Sequence, residues 1–330
     1  MFSYNTIIAF IVILINTISH SENSTILFNS GWYKTKKKSD KTLVHNVTSI
    51  GPNSFDYKAS YLKISSVISI LPKSSIHDLI NLQDLIISSS GIINIEAGVF
   101  ENVPKLSKVN LKENGIQQIR YGVFNGLNLT MLFLNKNEIS FIDGGAFDDM
   151  PKLTKIKLNF NQISTWDCKW FKRTPALNVV SIRRNSIKEI PDGAFKNLNN
   201  EDLKLFLSKN NIVEIHPSAF SGIKRISQLY LDRNKLTQLD DKVFDKIEHI
   251  HTLSLARNNL TEIPKKLLKT VKYMRYLDLT ANHRLQCVPI EVARIVQTIK
   301  LENVLSLNCS CIASLRNVTH VIGVGNLCKQ

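Results

Sequence analysis

After its first twenty residues the sequence contains no apolar run approaching the roughly 18 residues that a membrane-spanning helix needs. The tail VTHVIGVGNLCKQ is too short and too polar for a lipid-anchor signal. Acidic side chains are scarce: 27 Asp and Glu face 42 Lys and Arg, a net charge of +15. Such an excess points to an anionic partner, a membrane surface or solubility alone. Cysteine is sparse, with five in the chain and none between residues 20 and 60. The spacing that an active site or cofactor would require is also missing. His249 and His251 have no further ligands beside them, so no metal site is expected. Gly323 and Gly325 leave no room for a phosphate-binding helix.

The first 19 residues, MFSYNTIIAFIVILINTIS, hold an apolar stretch from Ile7 to Ile15 followed by small polar residues. This is the build of a secretory signal peptide, residues 1–19, although Lys and Arg are missing ahead of the apolar stretch. A secreted, extracellular protein follows, and nucleic acid is not an expected partner. The lysine-rich run KTKKKSDK, residues 34–41, then reads as a solvated or anion-attracting loop. Cysteines in that compartment read as disulfides. Cys287, Cys309, Cys311 and Cys328 cluster and allow three pairings. Cys168 remains, either as a buried free thiol or as one end of a disulfide-linked dimer. Asn46, Asn128, Asn259 and Asn317 stand in glycosylation sequons. Asn23 and Asn308 do too, the latter with Cys309 in its middle position.

One unit recurs along the chain, as in ISQLYLDRNKLTQL (226–239). Its copies begin at Leu82, Leu106, Leu129, Leu153, Leu177, Asp202, Ile226, Ile250 and Met274, 23 to 25 residues apart. A fixed period of this length is the mark of a stacked solenoid. Position 9 is asparagine in eight successive copies, from Asn114 to Asn282. Position 19 is phenylalanine in seven, from Phe100 to Phe244, and then Leu268. Leucines at positions 4 and 6 alternate with outward positions 3, 5 and 7, which makes a short strand. A buried asparagine can bond the backbone of the turn that follows. The phenylalanines stack as a spine on the other side. No coil buries its apolar face alone, so stability comes from neighbours.

The pattern LxxLxLxxNxIxxIxxxxFxxL resembles the extracellular leucine-rich repeat family over residues 58–305, and in particular Toll-like receptor ectodomains. The segment WDCKWF (166–171) is similar to segments of insect-type secreted immune proteins of that family. The resemblance implies an α/β solenoid, a horseshoe of nine or ten repeats with a parallel sheet on its concave face, serving as a binding scaffold rather than an enzyme. It also implies terminal caps. Residues 306–330, with Cys309-x-Cys311, look like a short cysteine-containing C-terminal cap. There one of Cys309 and Cys311 is expected to pair with Cys328 and the other with Cys287. Residues 20–57 form a cysteine-free N-terminal cap, for which GWYKTKKKSDKTLVHNVTSI predicts a hairpin.

Functional choice belongs at the outward positions, 3, 5, 7 and 8, which the fold does not dictate. From Leu106 through the Ile250 copy there are 28 of them, and eleven are basic where the chain average would give about four. The eleven are Lys108, Lys112, Lys136, Lys155, Lys157, Arg183, Arg184, Lys204, Lys209, Arg233 and Arg257, against Glu113 and Asp232. Position 8 reads Lys136, Phe160, Arg184, Lys209, Arg233, Arg257. With strands about 4.8 Å apart, that makes a cationic row whose members repel until a counter-charge arrives. Phe133, Phe160, Phe206, Tyr230 and Tyr276 stand among them as anchor points. The ligand-binding residues expected are Lys136, Lys157, Phe160, Arg183, Arg184, Phe206, Lys209, Tyr230, Arg233 and Arg257. Their partner is an extracellular protein or an anionic glycan or surface, in innate immunity or host interaction, with the protein acting as a soluble receptor-like or decoy molecule. The alternatives are a matrix or adhesion protein binding acidic glycans and an inhibitor of an extracellular enzyme.

Overall fold

The structure, a computed structural model, describes residues 58–198 and 200–325, Ile50 and Phe55, and the backbone of the strands Thr25–Phe28, Gly31–Lys34 and Lys41–His45. The expected leader (1–19), Asn46 and Cys328 lie outside the described residues. Two compact units divide the chain, Met1–Ala146 and Phe147–Gln330.

In the first unit the strands Lys41–His45, Tyr61–Ser65, Asp84–Ile87, Lys108–Asn110 and Met131–Phe133 pair in that order, all parallel. In the second, Lys155–Lys157, Val179–Ser181, Lys204–Phe206, Arg225–Tyr230, His249–Ser254, Tyr273–Asp278, Val296–Lys300 and His320–Ile322 do the same. Each strand is one coil of a solenoid, and register follows the repeat: Leu205, Leu229, Leu253 and Leu277 lie side by side. These position-4 leucines are at most 1% exposed. The alternation of inward leucine and outward polar residue is therefore realised as drawn from the sequence.

The asparagine column is a hydrogen-bonded ladder. Asn234 Nδ2 donates to the Leu231 carbonyl of its own coil (2.9 Å) and to Leu207 of the preceding one (3.1 Å). Its Oδ1 accepts from the Ile212 N–H of the preceding coil at 3.1 Å. Asn258 repeats the pattern one coil later with Leu255, Leu231 and Leu236. One amide thus satisfies three backbone groups that a tight turn would otherwise bury unpaired.

The phenylalanine spine is equally regular, with Phe195, Phe220 and Phe244 at 5.0 and 5.7 Å between ring centres. The WDCKWF segment is where the spine changes hands. Trp166 stands 6.1 Å from Phe171 and 4.8 Å from Phe195, and its Nε1–H donates to the Ala194 carbonyl. The tryptophan fills a step between two phenylalanines, so Trp166, Trp170 and Phe171 are core while Lys169 is exposed. Cys168, between Trp166 and Trp170, is a half-buried free thiol.

The N-terminal end departs from expectation in detail, and the bond at Cys287 follows it. The hairpin joins Thr25–Phe28 to Gly31–Lys34, so only its second arm falls in the predicted stretch. Lys41–His45 instead adds a parallel strand to the first repeat. Toward the other end, Cys287 pairs with Cys311, and Cys309 is disulfide-bonded as well. The Cys287–Cys311 bond ties the Asn282 coil to the helix Cys309–Arg316. Asn308 caps that helix, its side chain accepting from the Cys311 N–H at 2.8 Å.

Candidate functional site

Position 8 lies three residues past the end of each strand, and there the backbone turns left-handed. In the second unit φ is 57° at Phe160, 54° at Arg184, 58° at Lys209, 57° at Arg233 and 56° at Arg257. Each position-8 N–H then donates to the position-7 carbonyl of the following coil: Arg184 to Ser208, Lys209 to Asp232, Arg233 to Ala256, Arg257 to Thr280. These bonds measure 2.7 to 3.0 Å. The bend aims successive side chains off the same edge of the sheet, and the bonds fix their spacing at one strand. Left-handed backbone costs a side-chain-bearing residue about 1–2 kcal/mol, which glycine and asparagine largely escape. None of these five positions carries either residue.

The predicted row is assembled in the second unit. Arg184, Arg233 and Arg257 are exposed and Lys209 is half-buried. Among the described residues none of the four has an ion-pair partner. Partial desolvation lowers the Lys209 pKa, and the Arg184 and Arg233 charges on either side add to the effect. Asp232 of the following coil offsets this in part, while its carboxylate accepts from the Ser208 hydroxyl at 2.5 Å.

Aromatic residues occupy the strands beside the row. Phe206 and Tyr230 stack at 5.4 Å with their planes 13° apart, and the Arg183 guanidinium lies 4.4 Å from the centre of one ring and 5.5 Å from the other. Arg184 lies 4.8 Å from the Phe160 ring, which is 46% exposed. Lys157 is half-buried at the end of its strand. Beyond Arg257 the charges become mixed. Lys300 pairs with Glu302 at 3.0 Å, and this bond holds its pKa above the usual lysine value.

Lys136, the first member of the expected row, has an acid partner. It belongs to the first unit and is paired with Glu113 at 2.8 Å. Hydrogen bonds from Lys136 and Ser89 hold the Glu113 carboxyl below its usual range. Both partners sit at position 8 of consecutive coils, so the repeat itself brings the pair together. Lys136 is therefore no part of an uncompensated row.

A feature missed in the sequence lies at the opposite ends of the strands. Arg225, His249 and Tyr273 stand in register there. They line a groove of about 390 Å³ together with Gln228, His251 and Glu201. Glu201 lies in the one interval of 25 residues between repeats, the signal that could have drawn attention to this edge. Of the sequon asparagines, Asn128, Asn259 and Asn317 are all exposed and none is at an outward strand position.

Seven overlapping segments, 80–139, 104–163, 128–179, 151–201, 175–236, 203–260 and 228–283, match the family model of the leucine rich repeat. No curated protein matches the chain by sequence. Among solved structures the fold is similar to that in a crystal structure of a TLR13–ssRNA13 complex, with a TM-score of 0.63 and 19% identity. That match covers 80% of this chain and 46% of the other. A structure of the glycosylated Toll–Spatzle complex of Drosophila is similar too, with a TM-score of 0.54 and 19% identity, covering 77% of this chain and 37% of that one. The chain thus spans less than half the length of either, and at this identity the likeness is one of fold. Among the described residues no helix is long and apolar enough to cross a membrane.

Proposed function

Since the chain belongs to the leucine-rich repeat family, we infer that it is a binding protein that recognises an extracellular protein or anionic macromolecule through the basic, aromatic strand face of its second unit. The observation that carries this reading is the run of four cations, Arg184, Lys209, Arg233 and Arg257, held at one-strand spacing without an acid partner among the described residues. Like charges fixed side by side are unfavourable until a ligand neutralises them. The ligand therefore recovers what the unbound face gives up. A role in innate immunity, as a soluble receptor-like or decoy molecule, draws support from the fold shared with chains whose structures hold single-stranded RNA in one case and Spatzle in the other. An extracellular setting fits the disulfide bond between Cys287 and Cys311.

The test is affinity capture from the extracellular fluid of the producing organism. The unaltered protein would be run beside a variant with Arg184, Lys209, Arg233 and Arg257 all changed to Glu. A partner retained by the first and lost by the second is the expected result. Identical partners on both would overturn the reading and turn attention to the Arg225–His249–Tyr273 groove. The lack of ion pairs along the row among the described residues favours a second reading, adhesion to acidic glycans of a matrix. That reading requires an affinity that collapses as salt rises, because exposed charges are screened beyond about 8 Å at physiological ionic strength.

A further inference from the structure

The groove at the opposite ends of the strands is a different kind of surface from the cationic row. Glu201, Arg225, His249 and Tyr273 each stand one residue before a repeat copy begins, on four consecutive coils. All four line the groove of about 390 Å³, and Glu201, Arg225 and His249 also line an adjoining hollow of about 320 Å³. The two together are lined by three acids, Glu201, Asp202 and Glu248, and three bases, Lys204, Lys224 and Arg225. Charge along this edge is therefore balanced, and nothing in it calls for a polyanion.

Within that balance one pair is left open. Glu248 meets Lys272 of the next coil at 2.6 Å, and Asp202 meets Lys204 at 2.7 Å. Glu201 and Arg225 are also one coil apart and opposite in charge. Both are exposed, and among the described residues neither forms an ion pair. A carboxylate only accepts hydrogen bonds and a guanidinium only donates them. A ligand that serves both must donate and accept. A hydroxyl does so from one atom, whereas a carboxylate, a sulfate or an ammonium serves only one of the two. In the same groove the Tyr273 ring is 46% exposed, and its hydroxyl donates to Gln297 at 2.9 Å, which fixes the ring in place. A fixed, open aromatic ring is a platform for an apolar surface. A sugar ring has both parts, a rim of hydroxyls and a face of C–H groups. A peptide fits less well. The strands beneath the groove are paired on both sides, so no free sheet edge remains for an extended chain to join.

We propose that this groove binds a neutral sugar residue of a glycan, its hydroxyls bridging Glu201 and Arg225 and its ring face lying on Tyr273. His249 stands in register between Arg225 and Tyr273, on the floor that joins the two contacts. The volume of about 390 Å³ falls within the range of small-ligand sites, about 300–1,000 Å³. This site goes beyond the strand-face reading above and does not rest on it.

The experiment applies the full chain to an array of neutral oligosaccharides ending in mannose, glucose, galactose or N-acetylglucosamine, and then titrates it with the best-bound of them. Binding of at least one is expected. Its affinity should change less than about twofold between low and physiological salt, because the ligand carries no charge to screen. Glu201→Ala and Tyr273→Ala are each expected to weaken it about tenfold at an unchanged melting temperature. Tyr273→Phe keeps the ring and should cost much less. The variant with Arg184, Lys209, Arg233 and Arg257 changed to Glu should bind the sugar as the unaltered protein does. No sugar retained on the array would overturn the proposal, as would full-strength binding by both alanine variants. Loss of the sugar in the glutamate-reversal variant, or tighter binding to a peptide array run beside the first, would overturn it too. The strand-face reading survives any of these results so long as that variant still loses its captured partner.

Discussion

Position 8 of the repeat has the same backbone in the two units and opposite electrostatics. In the first, Glu113 and Lys136, both at φ 59°, close an ion pair at 2.8 Å. In the second, Arg184, Lys209, Arg233 and Arg257 hold φ between 54° and 58°, and none forms an ion pair among the described residues. The left-handed bend also takes Ser89 and Ala281, so it does not call for a cation. Four cations in succession run against backbone strain and mutual repulsion together. The difference separates what a coil needs in order to stack from what it displays.

The largest expected effect would erase the comparison by breaking the scaffold beneath it. Phe220→Ala empties a spine position between Phe195 and Phe244 and should cost about 3–5 kcal/mol, read as a lower urea midpoint. A cost below about 1 kcal/mol would mean that the spine is not shared core. Next comes the comparison itself. Changing Lys209 and Arg233 to Glu should weaken binding to a polyanion by at least about tenfold, roughly 1.4 kcal/mol. Changing Lys112 and Lys136 to Glu should weaken it far less, because Glu113 already neutralises that stretch. Equal losses from the two pairs would erase the distinction between the units.

A smaller effect has the opposite sign for stability and binding. Arg233→Asn relieves part of the left-handed strain and should raise stability by about 0.5–1 kcal/mol while weakening the ligand complex. If instead the variant unfolds at lower urea, the arginine serves the coil rather than the ligand. The smallest effect concerns Glu113, whose carboxyl is held below its usual value by Lys136 and Ser89. A depressed carboxylate contributes stability above its unfolded pKa and loses it as pH falls through the folded value. Glu113→Gln should therefore leave acid unfolding slightly less steep and neutral-pH stability almost unchanged, since exposed pairs contribute little. It should also free Lys136 to bind polyanion, which a titration of the variant would detect.

The parts of the molecule that depend on period were legible in the sequence, and those that depend on geometry within a coil were not. Asn234 and Phe220 recur at fixed positions, and a column of one residue type has a single physical reading in a stack. The left-handed bend at position 8 was hidden because Lys, Arg and Phe carry no sign of it, as Gly or Asn would. Its cationic content could be counted, yet the count overlooked the Glu113–Lys136 pair, in which acid and base share one column. Trp166 was opaque for a related reason: it fills a phenylalanine step from outside the phenylalanine column. The pairing of Arg183 with Phe206 and Tyr230 required side-chain positions, since position 7 of one coil meets position 5 of the next two.

The asparagine ladder also has a direction. Asn234 serves the Leu207 carbonyl and the Ile212 N–H, both in the coil that precedes it. Each coil therefore depends on the one made after it. On a ribosome, which delivers the chain from its N-terminus, a newly emerged coil keeps an open turn until its successor arrives with the amide that closes it. The folded front must trail synthesis by at least one coil, and a pause in translation would leave the open turn always at the newest coil.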